Sequence, residues 1–204
     1  NNTATVPSSN SGWFEQNPKI WWALASEAVR ETINQIDSPQ DIIAISVDST
    51  SGTVIPLGYD NEPLRPALMY NDSRAAIEAK ECNQAGADLC SKLGFKFASS
   101  FALPKILWMT KNEPEIVENT KYFVHAADYI VGKLTGEFGI SDYSNALKTG
   151  YDLSALRWPD FIASELNLDL DKFQKIVKPG EIIGHISSEC SEITGIPEGC
   201  PVAA

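Results

Sequence analysis

Hydroxyl side chains gathered just past an apolar run are the first feature with chemical meaning. Ile42-Ile-Ala-Ile-Ser-Val47 passes directly into Asp48-Ser-Thr-Ser-Gly-Thr53. Small hydroxyls and a glycine beyond a strand leave room for a polar ligand, and in α/β sheets ligands tend to sit beyond the carboxyl ends of strands. Each hydroxyl both donates and accepts, which suits a ligand carrying several hydroxyls of its own. The same composition also makes an ordinary turn between strands. A second such place is Tyr70-Asn-Asp-Ser-Arg74, where another apolar run enters a helix. Asp72 or Ser73 is placed to cap that helix, and Asp72 is equally placed to hold Arg74 or a ligand hydroxyl. Ser141-Asp-Tyr-Ser-Asn-Ala146 is a third polar cluster opening a helix, with Asp142 and Ser144 as natural caps.

Other chemistries lack their motifs. There is no Gly-x-x-x-x-Gly-Lys-Ser/Thr phosphate loop, no Gly-x-Gly-x-x-Gly and no His-Glu-x-x-His. No Gly-x-Ser-x-Gly nucleophile elbow is present. The two histidines, His125 and His185, have no evident Ser or Cys partner and read as structural.

The elements that must position these clusters follow from periodicity. Asn17 caps a helix with Pro18 at its first position. Trp21, Leu24, Ala25, Ala28, Val29, Ile33 and Ile36 give it one apolar stripe, and Asp37-Ser-Pro39 ends it. The near-continuous apolar run 42–47 reads as a strand covered on both faces. Val54-Ile-Pro-Leu57 and Ala67-Leu-Met-Tyr70 read as further strands, with Pro56 marking an edge or an end. Helices are predicted from Ser73, with Gly86 and Gly94 as punctuation, and over Pro104–Asn112, from Glu113, over Ala126–Leu134, and from Trp158. Tyr122-Phe-Val124, Ile176-Val177, Gly184-His-Ile186 and Pro201-Val202 read as short strands. The sum is an α/β domain with a mixed sheet and flanking helices.

Composition narrows the partners. The 204 residues are 43% hydrophobic and 21% charged, ordinary for one globular domain. Sixteen Lys and Arg face 27 Asp and Glu, a net charge of −11 with no basic cluster. Nucleic acid and anionic membrane are therefore poor partners. No apolar run approaches the ~20 residues that span a bilayer. The polar Asn1–Ser11 segment does not read as a signal peptide. Cys82, Cys90, Cys190 and Cys200 form no Cys-x-x-Cys pair and read as four buried, reduced thiols of a cytoplasmic protein. The lack of a starting Met reads as a fragment or a processed product.

Taken in order, these pieces resemble the FGGY carbohydrate kinases. Gly12-Trp-Phe-Glu-Gln-Asn-Pro18 with Trp21-Trp22, Ser51-Gly-Thr-Val54, Tyr70-Asn-Asp-Ser-Arg74 and Pro104-Lys-Ile-Leu-Trp108 with Asn112-Glu-Pro114 follow the family's sequence of motifs. Asp128-Tyr-Ile, Leu134-Thr-Gly-Glu137, Asp142-Tyr-Ser-Asn-Ala146, Pro179-Gly-Glu, Gly184-His-Ile and Thr194-Gly-Ile-Pro-Glu-Gly199 continue it. Ala102 departs from the Pro, Ser or Thr usual in one signature. The stretch Ser141–Asp152 is most similar to pentulose kinases of cyanobacterial and plant type.

The resemblance implies a ribonuclease-H-like, actin-like fold of two lobes, with ATP between them, Mg²⁺ on its phosphates and the sugar in the first lobe. It implies D-ribulose or D-xylulose as substrate, and homodimers, which are common in the family. Residues 1–204 then form a partial N-terminal domain. The family's opening hairpin with its Asp-x-Gly-Thr motif and its second lobe are not among them. Its general-base aspartate follows the Pro201-Val202 strand and is expected beyond Ala204. This piece is expected to be inactive alone, with no catalytic residue of its own. Carried over by position, the sugar-binding residues are Thr50, Ser51, Tyr70, Asp72 and Ser100, with Asp72 the weakest of them and holding the loop. Lys105 and Trp108 are assigned to fold support. The competing class is a non-catalytic actin-like binding module.

Overall fold

The computed structural model describes residues 4–204. Two very short strands, β1 (Thr5–Val6) and β2 (Glu15–Gln16), precede the long helix α1 (Pro18–Ile33). Asn17 caps that helix by accepting from the Lys19 N–H at 3.0 Å, and Pro18 occupies the first turn as expected. Strands β3 (Ile45–Ser46), β4 (Ile55–Leu57) and β5 (Ala67–Leu68) follow, then helices α2 (Ala76–Ala85) and α3 (Ala87–Leu93). Next come α4 (Ala102–Asn112), α5 (Pro114–Asn119), β6 (Tyr122–Val124), α6 (Ala126–Thr135), β7 (Ile140–Asp142) and α7 (Tyr143–Ala146). The chain closes with α8 (Phe161–Ser164), β8 (Lys175–Val177), β9 (Ile182–His185), α9 (Ser188–Thr194) and β10 (Pro201–Ala203).

Pairing is mixed, as expected, but it is divided among short sheets. β2 lies between β1 and β5 and is antiparallel to both. β10 runs parallel to β3 and antiparallel to β9, with a register shift at Val202/Ala203. Just past β10, the Ala204 N–H donates to the Glu181 carbonyl and the Ala204 carbonyl accepts from the Gly180 N–H, both at 2.9 Å. β4 pairs with β6 antiparallel, and β7 with β8 in parallel. A bridge between Val54 and Leu68 ties β4 to β5. On that side the ladder lapses at Pro56, which has no N–H to give, although its carbonyl accepts from Leu64.

The core has three parts. The largest packs α4 against α2 and α3, with Leu103, Ile106, Met109, Leu89, Cys82 and Ile162 buried. A second joins α1, α6, α9 and β10 through Ile33, Val131, Leu134, Ile186, Ile196 and Val202. The third lies under β4 and β6, around Ile55, Leu57, Val124 and Tyr129.

Three sequence expectations are corrected. Helix α1 packs through Trp22, Val29 and Ile33, whereas Leu24, Ala28 and Ile36 of the expected stripe are exposed. Trp22, Val29 and Ile33 sit seven and four residues apart, so they share one face, and the neighbours the pattern also allowed fall off it. The run 42–47 forms a two-residue strand that packs on one face only. Ile42, Ile45 and Val47 turn toward the second core, while Ile43 is 86% exposed. The helix after Tyr70 starts at Ala76 with no side-chain cap, so neither Asp72 nor Ser73 caps it. Asp142 does cap α7, accepting from the N–H groups of Ser144 and Asn145. The four cysteines are free thiols, three of them buried and Cys90 half-buried. Burial pushes all four thiols up, Cys82 to about 12. No described helix is long and apolar enough to cross a membrane.

Candidate sugar site

The hydroxyl-rich loop after β3 is held at four points by three segments, α6, the β5 strand end and α4. At its start, the Ser49 hydroxyl accepts from the Ala127 N–H at the first turn of α6, at 3.0 Å. At its end, Val54 and Leu68 exchange backbone hydrogen bonds at 3.0 Å each. Just before that, the buried Thr53 hydroxyl accepts from the Tyr70 N–H at 3.2 Å. In the middle, the buried Lys105 ammonium of α4 donates to the Gly52 carbonyl at 2.8 Å. Gly52 adopts φ +87°, and a Cβ there would lie 2.3 Å from the Ser100 carbonyl oxygen. Only glycine allows both that dihedral and that approach. The loop, the Tyr70 strand end and the Ser100 turn are therefore brought side by side.

Lys105 is the centre of this assembly. Its side chain is fully buried, and burial holds its pKa down to about 7. The charge of Asp72 works against that fall, while Lys148 and Arg74 add to it. Assigning Lys105 to fold support is right in kind, and the structure shows that what it supports is the site loop.

The predicted ligand residues divide by what their side chains already do. Thr50 is exposed and Ser51 and Ser100 are half-buried, and none of the three has a side-chain hydrogen bond among the described residues. Tyr70 is 44% exposed and its hydroxyl is likewise unengaged. Asp72 is different. One carboxylate oxygen accepts from the Phe14 N–H at 2.6 Å and Arg74 Nη2 at 2.7 Å. The other accepts from the Arg74 N–H and Nε, both at 2.9 Å. Its four acceptor positions are thus filled and its side chain is buried, so it positions the Tyr70–Arg74 segment and has nothing left for a ligand. The general-base aspartate expected beyond Ala204 lies outside the described residues.

A charged layer beneath this segment was not visible in the sequence. The Arg74 guanidinium lies 3.8 Å from the Trp13 ring centroid and 5.0 Å from that of Trp108. It also stands 2.8 Å from the Glu15 carboxylate. Arg65 in turn pairs with Glu15 and Glu113. Two aromatic faces and a carboxylate pair make this a desolvated guanidinium that only arginine, planar and permanently charged, would fill. Aromatic residues one strand and one helix away met only through the fold.

His125 has partners after all, and they confirm a structural role. Its Nδ1 lies 2.6 Å from the Asp128 carboxylate and its Nε2 2.7 Å from the Thr149 hydroxyl. The Ser141 hydroxyl donates to the other oxygen of Asp128 at 2.9 Å. All four side chains are buried, so the network fastens α6, β7 and the turn at Thr149 together and has no access to a substrate.

Comparison with known proteins gives the same reading a family. The sequence model of the N-terminal domain of the FGGY family of carbohydrate kinases matches residues 1–204. Xylulose kinase of Escherichia coli is 29% identical over 94% of this chain and 40% of its own length. Xylulose kinase of Streptomyces rubiginosus is 30% identical over 84% of this chain and 36% of its own. In fold, the ligand-bound xylulose kinase of Lactobacillus acidophilus superposes with a TM-score of 0.88, at 23% identity, over all of this chain and 41% of that one. The chain thus spans about two-fifths of the length of the curated relatives it matches. Along its whole length, in motif order and in backbone, this chain belongs to the FGGY family of carbohydrate kinases as an N-terminal domain of actin-like α/β fold.

Proposed function

We propose that this chain is the sugar-binding lobe of an ATP-dependent kinase that moves the γ-phosphoryl group to a hydroxyl of a ketopentose, D-xylulose or D-ribulose. The observation that carries the reading is the loop itself. Thr50, Ser51, Tyr70 and Ser100 present unengaged hydroxyls on three segments that Lys105, Thr53 and Gly52 lock together. A ligand with a hydroxyl on every carbon but its carbonyl is matched by groups that both donate and accept. Holding them rigid before the ligand arrives lowers the entropy lost on binding. The stretch Ser141–Asp152 and the xylulose kinase relatives favour a pentulose.

Phosphoryl transfer needs an acceptor for the sugar's hydroxyl proton. Asp72 is saturated, so in this proposal that acceptor is a carboxylate outside the loop, the Tyr70 strand end and the Ser100 turn. The aspartate that the family resemblance places beyond Ala204 fills that role. Among the described residues no three His, Cys, Asp or Glu side chains are grouped to hold a metal ion. Mg²⁺-bound ATP is the cosubstrate of this proposal. When bound, that cosubstrate supplies the phosphoryl group and neutralises its charge. What these residues do is bind and orient the sugar.

The test is sugar-dependent ADP release by the product of the whole reading frame, with D-xylulose, D-ribulose, L-ribulose and glycerol, and this 204-residue chain alongside. Turnover with a D-ketopentose by the whole protein, and none by the shorter chain, is expected. No turnover with any sugar would sink the kinase reading and leave the non-catalytic module in its place.

A further inference from the structure

Resting on the sugar-site reading, we propose that Lys148 is a specificity-determining residue of this site, donating from its ammonium to the carbonyl oxygen of an open-chain ketose. Lys148 lies in the short turn after α7, between the buried Thr149 and the body of that helix. Its stem crosses the loop, with Cδ 3.3 Å from where a Cβ on Gly52 would stand. The missing side chain at Gly52 thus serves two approaches at once, by the Ser100 backbone and by Lys148. The ammonium lies 5.6 Å from the Phe101 ring centroid, next to Ser100 in sequence.

Apart from the face of the Phe101 ring, its surroundings lack what a lysine normally finds. Lys148 is half-buried, yet it has no hydrogen bond and no ion pair among the described residues. Lys133 and Lys172, equally half-buried, have a Glu62 carboxylate and three backbone carbonyls respectively. In a chain with 27 acidic residues against 16 basic ones, a half-buried ammonium left without an anion is costly unless something else supplies acceptors. Nearby charge points the same way. Lys105 is a neighbouring cation, close enough for the two charges to interact, and Asp72 has every acceptor position occupied.

Among the described residues, no carboxylate pairs with the Lys148 ammonium. An ammonium has three donors and no acceptor. The best complement is an oxygen that only accepts. A ketose in its open-chain form offers one, its carbonyl, whereas the corresponding alditol presents there a hydroxyl whose own proton must also be placed on another acceptor. Ser51 and Thr50 remain for the flanking hydroxyls.

The experiment uses the product of the whole reading frame and the variants K148M and K148R. The measurements are kcat and KM for D-xylulose and D-ribulose, and inhibition constants for xylitol, ribitol and arabitol, which have the same carbon chain with the carbonyl reduced. Losing a hydrogen bond from a charged donor should lower kcat/KM for the ketose roughly 10- to 100-fold in K148M, mainly through KM. Alditol inhibition should change less than about threefold, and K148R should recover part of the loss because it retains a charged donor. Melting temperature and circular dichroism identify a misfolded variant, in which case K148R decides by the same two readouts. Equal losses for ketose and alditol, or an unchanged ketose kcat/KM, would overturn the carbonyl contact. A wild-type protein that turns over no sugar fails at an earlier step and overturns the sugar-site reading, and the carbonyl contact with it.

Discussion

Lys105→Met tests the link between a buried cation and the loop it holds. The folded-state pKa of Lys105 is about 7 because burial strips water from the ammonium. An unfolded chain returns it to about 10.5. Between those values the unfolded state binds a proton that the folded state does not, so stability rises with pH across this window. Below pH 7 both states are protonated and the dependence disappears. From pH 7 to about 8.5 this linkage contributes about 1.5 kcal/mol, which for a domain of this size moves the melting temperature by roughly 3–6 °C. Stopping there avoids the unfolded thiols, whose ionisation nearer pH 9 works in the opposite direction for Cys82. In K105M the contribution is gone. Other groups titrate alike in both proteins, so the difference between the two slopes isolates Lys105. The assay is thermal unfolding by circular dichroism at several pH values, at fixed ionic strength. Parallel curves for wild type and K105M would refute the reasoning, because they would mean that the ammonium keeps its ordinary pKa and is not desolvated.

Other changes have equally specific outcomes. Gly52→Ala must give up the positive φ or displace the Ser100 carbonyl, 2.3 Å from the new methyl. It should cost about 1–3 kcal/mol in chemical denaturation and raise KM for the sugar in the whole protein. Asp72→Asn leaves Arg74 buried between two indoles with one carboxylate instead of two. A loss of about 3–5 kcal/mol is expected, read as a lower denaturation midpoint, and an unchanged midpoint would show that Glu15 suffices. The raised thiol pKa values and burial predict slow alkylation at pH 8, with half-buried Cys90 modified first and Cys82, Cys190 and Cys200 only on unfolding, as mass spectrometry would show.

The legible parts of the sequence were those governed by neighbours along the chain. The Asn17-Pro18 start of α1 and the Gly136 stop of α6 are local capping chemistry, and both stand where they were expected. The strands at Tyr122–Val124 and Pro201–Ala203 were marked by short apolar runs between turn residues. What failed needed knowledge of the other side of a contact. Ile43 looks like its neighbours Ile42 and Ile45, and only the absence of packing on its face separates them. Asp72 was read as a cap or as a partner of Arg74, and of these only the Arg74 pair forms. Its carboxylate also reaches Phe14, far back in the sequence. Lys148 gave no signal, because its significance lies in the space that Gly52 leaves open.

The tethers of the hydroxyl loop also bear on how this domain assembles. Gly52 is fixed by Lys105, and the same loop is overlaid by Lys148, so its partners come from far along the chain. Closing such distant contacts costs chain entropy before any contact rewards it. The packing of α4 on α2 and α3 is more local and can form early. The loop cannot take its final shape on a ribosome until the segment carrying Lys148 has emerged. In hydrogen exchange, the Val54 and Tyr70 amides that tether the loop should open in sub-global events well before those of α4, and bound sugar should close that gap by joining the three segments it touches.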